Sequence, residues 1–363
     1  MKRWGAFDAT FFRKICFAVI PSLPGEVEST NVSPMRVLLV VFFLLGGVPG
    51  LRAFDPSDQD DSLSLVRHFV ETDQPLGPGL QPGSYEPITG ETITLMGGVD
   101  VVRMQDFVEF DMAMLSAFPD KALRIRNLGW SGDTVYRQQR PMFFYTKEGD
   151  SREGSVPDLR SKIDPGTMLL MFGKMESLDG LDRLQEFESA YDGLITELKT
   201  ISSRVVLVAP SRFIEIGPAA ELAESRNETL ETYLACIDAL AEKHGAIFFD
   251  PGEFEKIAYA DNGVYLSDVG QKQLAVRLAS VLGWRGQWFE GVEKLVTRKN
   301  VLWDQYYRPT NWAFLFGDRQ NVPSSRDHED TDKRWFEEEL NRIPTMISDV
   351  EKELWKFAEG VKP

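Results

Sequence analysis

The chain has 363 residues, of which 43% are hydrophobic and 26% are charged, and its formal net charge is −16. This composition is that of a globular protein with a substantial core, and the length suffices for one large domain or two ordinary ones. The excess of acidic residues excludes the phosphate backbone of a nucleic acid as an expected partner.

Residues 1–53 predict an export leader. Met35 and Arg36 precede an apolar run over 37–45, and small, turn-forming residues then lead to Ala53. This layout is typical of a secretory signal peptide over 35–53, cleaved after Ala53, with Met35 or an earlier methionine as the start. The apolar run is short for a membrane span, which needs about 20 residues. We therefore expect a secreted or periplasmic protein with no integral span, and a retained membrane anchor is the alternative.

Removal of this leader changes the charge and the cysteine count. Residues 1–53 hold six of the 40 basic and three of the 56 acidic residues, so 34 basic and 53 acidic residues remain, a formal charge of −19. Cys16 is lost with the leader, and Cys236 remains alone on an apolar helix face. Neither an intrachain disulfide nor a cysteine-based metal site is then expected, and a buried structural cysteine is the simplest interpretation.

Residues 54–89 predict a linker. An acidic start is followed by a short helix candidate over 63–71 and by a Pro/Gly-rich stretch over 75–87. Such a composition is typical of a connection between folded elements.

Beyond residue 90 the sequence alternates between strand and helix patterns. Apolar or alternating runs predict five strands, over 92–98, 123–129, 167–173, 204–210 and 246–250. Amphipathic spacing and end signals, including Ser267 as an N-cap, predict helices over 103–117, 184–201, 230–241 and 267–282. This alternation is typical of the α/β class, in which helices cover both faces of a parallel sheet.

The last 80 residues differ from this pattern. The segment over 300–323 is rich in aromatic residues and poor in periodicity, and a helix is predicted over 333–358. We expect an extension that packs on the main domain. Its aromatic residues favour packing, with a sugar-stacking rim as the alternative. The aromatic set comprises Trp284, Trp288, Trp303, Tyr306, Tyr307 and Trp312.

Ligands of open parallel sheets bind beyond the carboxyl ends of the strands. Four segments at or near these ends read, in chain order, "MGGVDVVRMQ" (96–105), "RNLGWSGDTV" (126–135), "FGKMES" (172–177) and "DNGVYLSDVGQ" (261–271). Together they resemble the SGNH/GDSL hydrolase family, whose members carry four short sequence blocks. In chain order these blocks are Gly-Asp-Ser, a Gly within Ser-Gly-Asp/Glu-Thr, Gly-x-Asn-Asp/Glu and Asp-x-x-His. The resemblance covers about residues 90–285, which leaves 286–363 as the extension.

The resemblance implies a three-layer α/β/α, flavodoxin-like fold and ester hydrolysis on acylated glycans without a cofactor. The family mechanism needs a serine nucleophile, a histidine base and donors to the oxyanion. In this sequence the serine position is Val99, the asparagine position is Met175 and the histidine position is Tyr265, whereas Gly132 keeps the oxyanion position. The resemblance therefore implies a degenerate esterase that acts by binding a carbohydrate, an acylated glycan or another envelope protein.

An active hydrolase with a non-standard mechanism is the alternative. Asp100, Glu176 and Asp261 fall beside strand ends, with Asp133 nearby, and clustered carboxylates can bind a cation or act as acid and base. The simpler interpretation is that they cap helices and order loops, with no metal. The expected site-lining set is Gly98, Asp100, Gly132, Gly173, Glu176 and Asp261.

A displaced histidine is the other route to activity. The chain after the leader contains His68, His244 and His328. His244 is expected at the C-terminal end of a helix, where an imidazole suits the helix dipole and is structural.

Overall fold

The computed structural model describes residues 85–138, 162–284 and 291–360. The predicted export leader, its cleavage site and most of the predicted linker lie outside these ranges. So do Cys16, His68 and Trp288.

Five parallel strands form one sheet. They are β1 (Thr92–Gly97), β2 (Arg124–Asn127), β3 (Pro165–Met171), β4 (Arg204–Val208) and β5 (Ile247–Phe249). Their order is β2-β1-β3-β4-β5, and every neighbouring pair is parallel. This is the flavodoxin-like order of a doubly wound sheet. The prediction of an α/β fold with a parallel sheet is confirmed.

Helices lie on both faces of this sheet. They are α1 (Val99–Arg103), α2 (Glu109–Ala117), α3 (Leu184–Leu198), α4 (Ala223–His244), α5 (Asp268–Val281), α6 (Glu293–Tyr307), α7 (Trp312–Leu315) and α8 (Trp335–Gly360). Helix α2 packs against α5, and α3 packs against α4. The chain leaves β1 toward one edge and β3 toward the other, so right-handed crossovers place these two pairs on opposite faces. The result is the predicted three-layer α/β/α arrangement.

The prediction of one continuous helix over 103–117 was wrong, because α1 and α2 are separate helices with a break between them. Helix α1 ends at Arg103 and a 3-10 turn follows, after which Phe107 is extended, with φ −116° and ψ 155°. The Phe107 carbonyl, which the break leaves outside a helix, accepts a hydrogen bond of 3.0 Å from the Asn300 side chain. A contact with a residue almost 200 positions away in the chain therefore stabilises the break.

The predicted cap of α5 is confirmed by a side-chain contact, whereas the cysteine that was predicted to be buried is only partly so. Ser267 is the N-cap of α5, and its hydroxyl accepts from the Gly270 N–H at 3.3 Å. Cys236 lies half-buried on α4, and burial raises the pKa of its thiol to about 11. The thiol therefore stays protonated at neutral pH, as expected of a structural cysteine.

The C-terminal helices α6 and α8 pack against each other and against the α2 side of the main domain. Trp303 is 4% exposed and stacks on Tyr307, with ring centroids 5.4 Å apart. The Trp303 indole N–H donates at 2.8 Å to the carbonyl of Asn127, which is the last residue of β2. A buried ion pair between Lys299 and Asp111 adds a polar connection between α6 and α2. Trp303 and Tyr307 are therefore packing residues, as predicted.

None of the helices within the described ranges combines the length and the apolar character that are needed to cross a lipid bilayer.

Replacing Trp303 by Ala is expected to reduce the free energy of unfolding by about 3–5 kcal/mol, because it removes a buried indole and its hydrogen bond. Trp335, which is 44% exposed on α8, is the matched control. Its change to Ala is expected to cost below about 1 kcal/mol. Urea denaturation measures both values, and equal losses would contradict the tight packing of the extension.

Candidate functional site

A small cavity lies at the carboxyl ends of β1, β3 and β4. Its volume is about 40 Å³, which is room for roughly three water molecules at ~10–15 Å³ each. Strands β1 and β3 are neighbours whose connections leave toward opposite edges, so the cavity sits at the topological switch point of the sheet. This is where a doubly wound fold binds its ligand.

The three positions that depart from the family blocks meet at this cavity. Val99 begins α1 and is half-buried, Met175 follows β3 and is 39% exposed, and Tyr265 lies in the loop before α5. The Tyr265 hydroxyl lies 3.9 Å from the Met175 sulfur and donates to it. The structure thus brings together an isopropyl group, a thioether and a phenol at one cavity.

Glycine is needed where β1 ends beside β3. A Cβ atom on Gly97 would lie 2.4 Å from the Met171 carbonyl oxygen, so no side chain fits between the two strand ends. Gly98 and Gly173 line the cavity beyond this close approach. Gly173 has φ +111°, a left-handed conformation that favours glycine. The strand-end backbone is therefore shaped for close packing around a small space.

Glu176 ties the second predicted block to the third. Its carboxylate accepts from the Val135 N–H at 2.8 Å and from the Gly173 N–H at 2.9 Å. The side chain is buried, and burial raises its pKa. Both carboxylate oxygens are occupied by backbone donors, as the loop-ordering interpretation predicts.

Asp100 ties the first block to the last. Its buried carboxylate accepts from the Leu266 N–H at 3.0 Å and from the Gln271 amide at 3.1 Å. Burial raises the pKa of Asp100, and the positive charge of Lys174 opposes this shift. The carboxylate that the sequence placed beside a strand end therefore anchors the loop that carries Tyr265.

Lys174 is the site residue that sequence reasoning missed. Its ammonium contacts the Ser211 hydroxyl at 2.9 Å, the Arg212 carbonyl at 3.3 Å and the Val264 carbonyl. The residue is only 7% exposed, and burial lowers its pKa to about 8. The sequence pattern that could have identified Lys174 is a charged residue directly after a predicted buried strand, in "FGKMES".

Gly132 and Asp261 lie outside the lining of this cavity. Gly132 is exposed in a tight turn with φ +89°. Asp261 is exposed as well, and the Asp-x-x-His spacing counted back from Tyr265 falls on Asn262. The Asn262 side chain accepts from the Val264 and Tyr265 N–H groups at 2.9 and 3.2 Å. This asparagine orders its own turn.

Neither described histidine lines the cavity. His244 ends α4, and its Nε2 lies 2.7 Å from the Asp192 carboxylate on α3, which fits the predicted structural role. His328 is 90% exposed in the loop before α8. Across residues 85–138, 162–284 and 291–360, no group of three or more His, Cys, Asp or Glu side chains is arranged to hold a metal ion.

No family model matches the sequence, and no curated protein matches it. Solved structures match part of it. LAE5, an α/β hydrolase enzyme from the metagenome of Lake Arreo in Spain, is 13% identical over 55% of this chain and 99% of its own, with a TM-score of 0.42. Axe2, an acetylxylan esterase from Geobacillus stearothermophilus, is 16% identical over 56% and 98%, with a TM-score of 0.40.

BT4096, a gut microbial diltiazem-metabolizing enzyme, is 16% identical over 56% of this chain and 49% of its own, with a TM-score of 0.39. These identities and TM-scores assign neither a family nor an activity to the chain.

Replacing Lys174 by Met is expected to cost about 3–5 kcal/mol of the free energy of unfolding, because Asp100 stays buried without its facing charge. Changing Lys174 to Met and Asp100 to Leu together is expected to cost less than that single change, because no buried charge is then left alone. Urea denaturation at pH 7 measures this. A double variant as unstable as the sum of both single variants would contradict the coupling.

The Lys174 amine is expected to lose its proton near pH 8, because burial disfavours its charged form relative to the ordinary value of 10.5. Between about pH 8 and 10.5 the unfolded chain retains a proton that the folded chain has released. The contribution of Lys174 to the free energy of unfolding therefore rises with pH in this window. A ¹³C NMR titration of lysine Cε atoms would show one resonance with this midpoint, absent from Lys174→Met. If every lysine titrates near 10, the assignment fails.

Proposed function

We propose that this chain is a non-hydrolytic member of the SGNH/GDSL esterase family that binds its ligand at the strand-end cavity. The observation that carries the proposal is the meeting of Val99, Met175 and Tyr265 at that cavity. The family blocks lie in their expected order along a sheet of suitable topology, while the reacting side chains are replaced.

The chemistry of these three side chains supports binding over turnover. Val99 offers no nucleophilic atom, and Met175 offers no N–H to an oxyanion. A phenol is a poor general base at neutral pH, since its reference pKa is near 10. An ester carbonyl in this cavity would meet neither an attacking group nor a proton acceptor of the family type.

The ligand class we propose is a carbohydrate or an acylated glycan, met outside the cytoplasm after export of the chain. A cavity of about 40 Å³ admits only a small substituent. The rest of a larger ligand would lie at the mouth, where Met175 and Tyr265 present apolar and aromatic surface. Aromatic rings at a solvent-exposed mouth suit the apolar faces of sugars. Another envelope protein is the alternative partner.

One observation favours the alternative of an active hydrolase with a non-standard mechanism. The Ser211 hydroxyl lies 2.9 Å from the Lys174 amine. Above about pH 8 the neutral Lys174 amine would accept the Ser211 proton, which is the geometry of an activated nucleophile. Ser211 is only 3% exposed, however, so a substrate would have to displace its surroundings.

The purified protein is expected to hydrolyse neither short-chain p-nitrophenyl esters nor acetylated sugars above background, and to bind a glycan on an array. Replacing Tyr265 by Ala is expected to weaken that binding about tenfold, equivalent to 1.4 kcal/mol, because it removes the aromatic surface at the mouth. Titration calorimetry with the glycan selected on the array measures the loss.

Two variants separate the candidate functions. The combined change Val99→Ser, Met175→Asn, Asn262→Asp and Tyr265→His rebuilds the family groups and is expected to gain esterase activity over the wild type. Wild-type turnover that Ser211→Ala abolishes, together with labelling of Ser211 by a fluorophosphonate probe, would overturn the binding proposal. Unlabelled wild-type protein would exclude the Ser211 mechanism.

A further inference from the structure

Lys174 is held almost entirely by backbone and by a hydroxyl group. Its Nζ atom donates to the Val264 carbonyl and to the Arg212 carbonyl, and it lies 2.9 Å from the Ser211 hydroxyl. The ammonium also lies 4.9 Å from the centre of the Phe213 ring. These contacts join the end of β3 to the loop after β4 and to the loop before α5.

Asp100 holds the same loop from the other side. Its carboxylate accepts from the Leu266 N–H at 3.0 Å, one residue after Tyr265, whereas Lys174 binds the carbonyl one residue before it. The Lys174 ammonium also donates to the Ser211 hydroxyl at 2.9 Å. Tyr265 is thus flanked by two backbone anchors of opposite charge.

The anchors set where the Tyr265 side chain points. With Val264 and Leu266 both fixed, the phenol reaches across the cavity mouth to the Met175 sulfur at 3.9 Å. The Arg103 guanidinium adds a third hold on the loop, through the Leu266 carbonyl. The backbone on either side of Tyr265 is therefore held by side chains of residues that follow β1 and β3 in the chain.

We propose that Lys174 and Asp100 are positioning residues of the cavity, which fix the backbone on both sides of Tyr265 so that its phenol lies against Met175 at the mouth. The proposal deepens the proposed function, on which it rests for the identification of this cavity as the ligand site. Neither residue needs to touch the ligand for this role.

A second buried pair in the chain shows what an ordinary structural role is. Lys299 and Asp111 are as buried as Lys174 and Asp100, but they join side chain to side chain between α6 and α2. Neither of them lines the cavity. Removing the charge of Lys299 disturbs a buried pair without touching the Tyr265 loop, which makes it a matched control.

The test reads the contact between Tyr265 and Met175 directly. Full-length protein with ¹³C-methyl methionine gives a Met175 methyl resonance, assigned with Met175→Leu and shifted by the adjacent phenol ring. Tyr265→Ala gives the position of this resonance without the contact. Lys174→Gln is expected to move the resonance at least halfway toward that position, and Lys299→Gln is expected to leave it unchanged.

Ser211→Ala keeps the experiment informative if Lys174→Gln does not fold. It removes one hydrogen-bond partner of Lys174 at a smaller cost and is expected to shift the resonance in the same direction by a smaller amount. An unchanged resonance in every foldable Lys174 or Ser211 variant would overturn the proposal. An equal shift in Lys299→Gln would do the same, since the effect would then be general loss of stability.

The Met175 methyl resonance is measured without any ligand, so the positioning role and the proposed function can be contradicted independently of each other. If the wild type binds no glycan but the Met175 resonance responds as expected, the proposed function fails and the positioning role stands. If glycan binds and the resonance does not respond, the positioning role fails alone.

Discussion

At the carboxyl end of a parallel sheet, the backbone N–H and C=O groups beyond the strands have no neighbouring strand to bond. Those that are buried must still form hydrogen bonds. In this chain three buried charged side chains supply much of that need. Glu176 binds two N–H groups, Asp100 binds one N–H and a side-chain amide, and Lys174 binds two carbonyls. Each connects a different combination of strand-end loops, so the shape of the cavity depends on them together.

This arrangement separates two roles that are combined in a triad-type esterase. There, the polar groups at the strand ends both order the loops and react with substrate. Here the groups at the positions of the family blocks are apolar or weakly polar, and the ionised side chains face backbone rather than open space. The polar side-chain atoms of such a site are already hydrogen-bonded within the fold.

The C-terminal extension belongs to the same structure. The Trp303 indole, the Tyr307 hydroxyl and the Arg308 guanidinium bind the carbonyls of Asn127, Leu128 and Gly129. These carbonyls belong to the last residue of β2 and the two residues after it, at the same end of the sheet as the cavity. Helix α6 and the residue that follows it therefore satisfy backbone carbonyls at this strand end, where the Trp303 and Tyr307 rings are buried.

The sequence by itself determined the layers, the strand-helix alternation and the Ser267 cap, because these depend on local periodicity and on turn chemistry. It also placed Val99, Met175 and Tyr265 at strand ends, where chain order alone brings them to one edge of the sheet. It did not reveal the break at Phe107 or the role of Lys174. Asn300, which lies far along the chain, stabilises the break. The role of Lys174 depends on Ser211, Arg212 and Val264. Partners so distant in sequence meet only in the folded chain, so tertiary structure alone decided which charges are buried and what they hold.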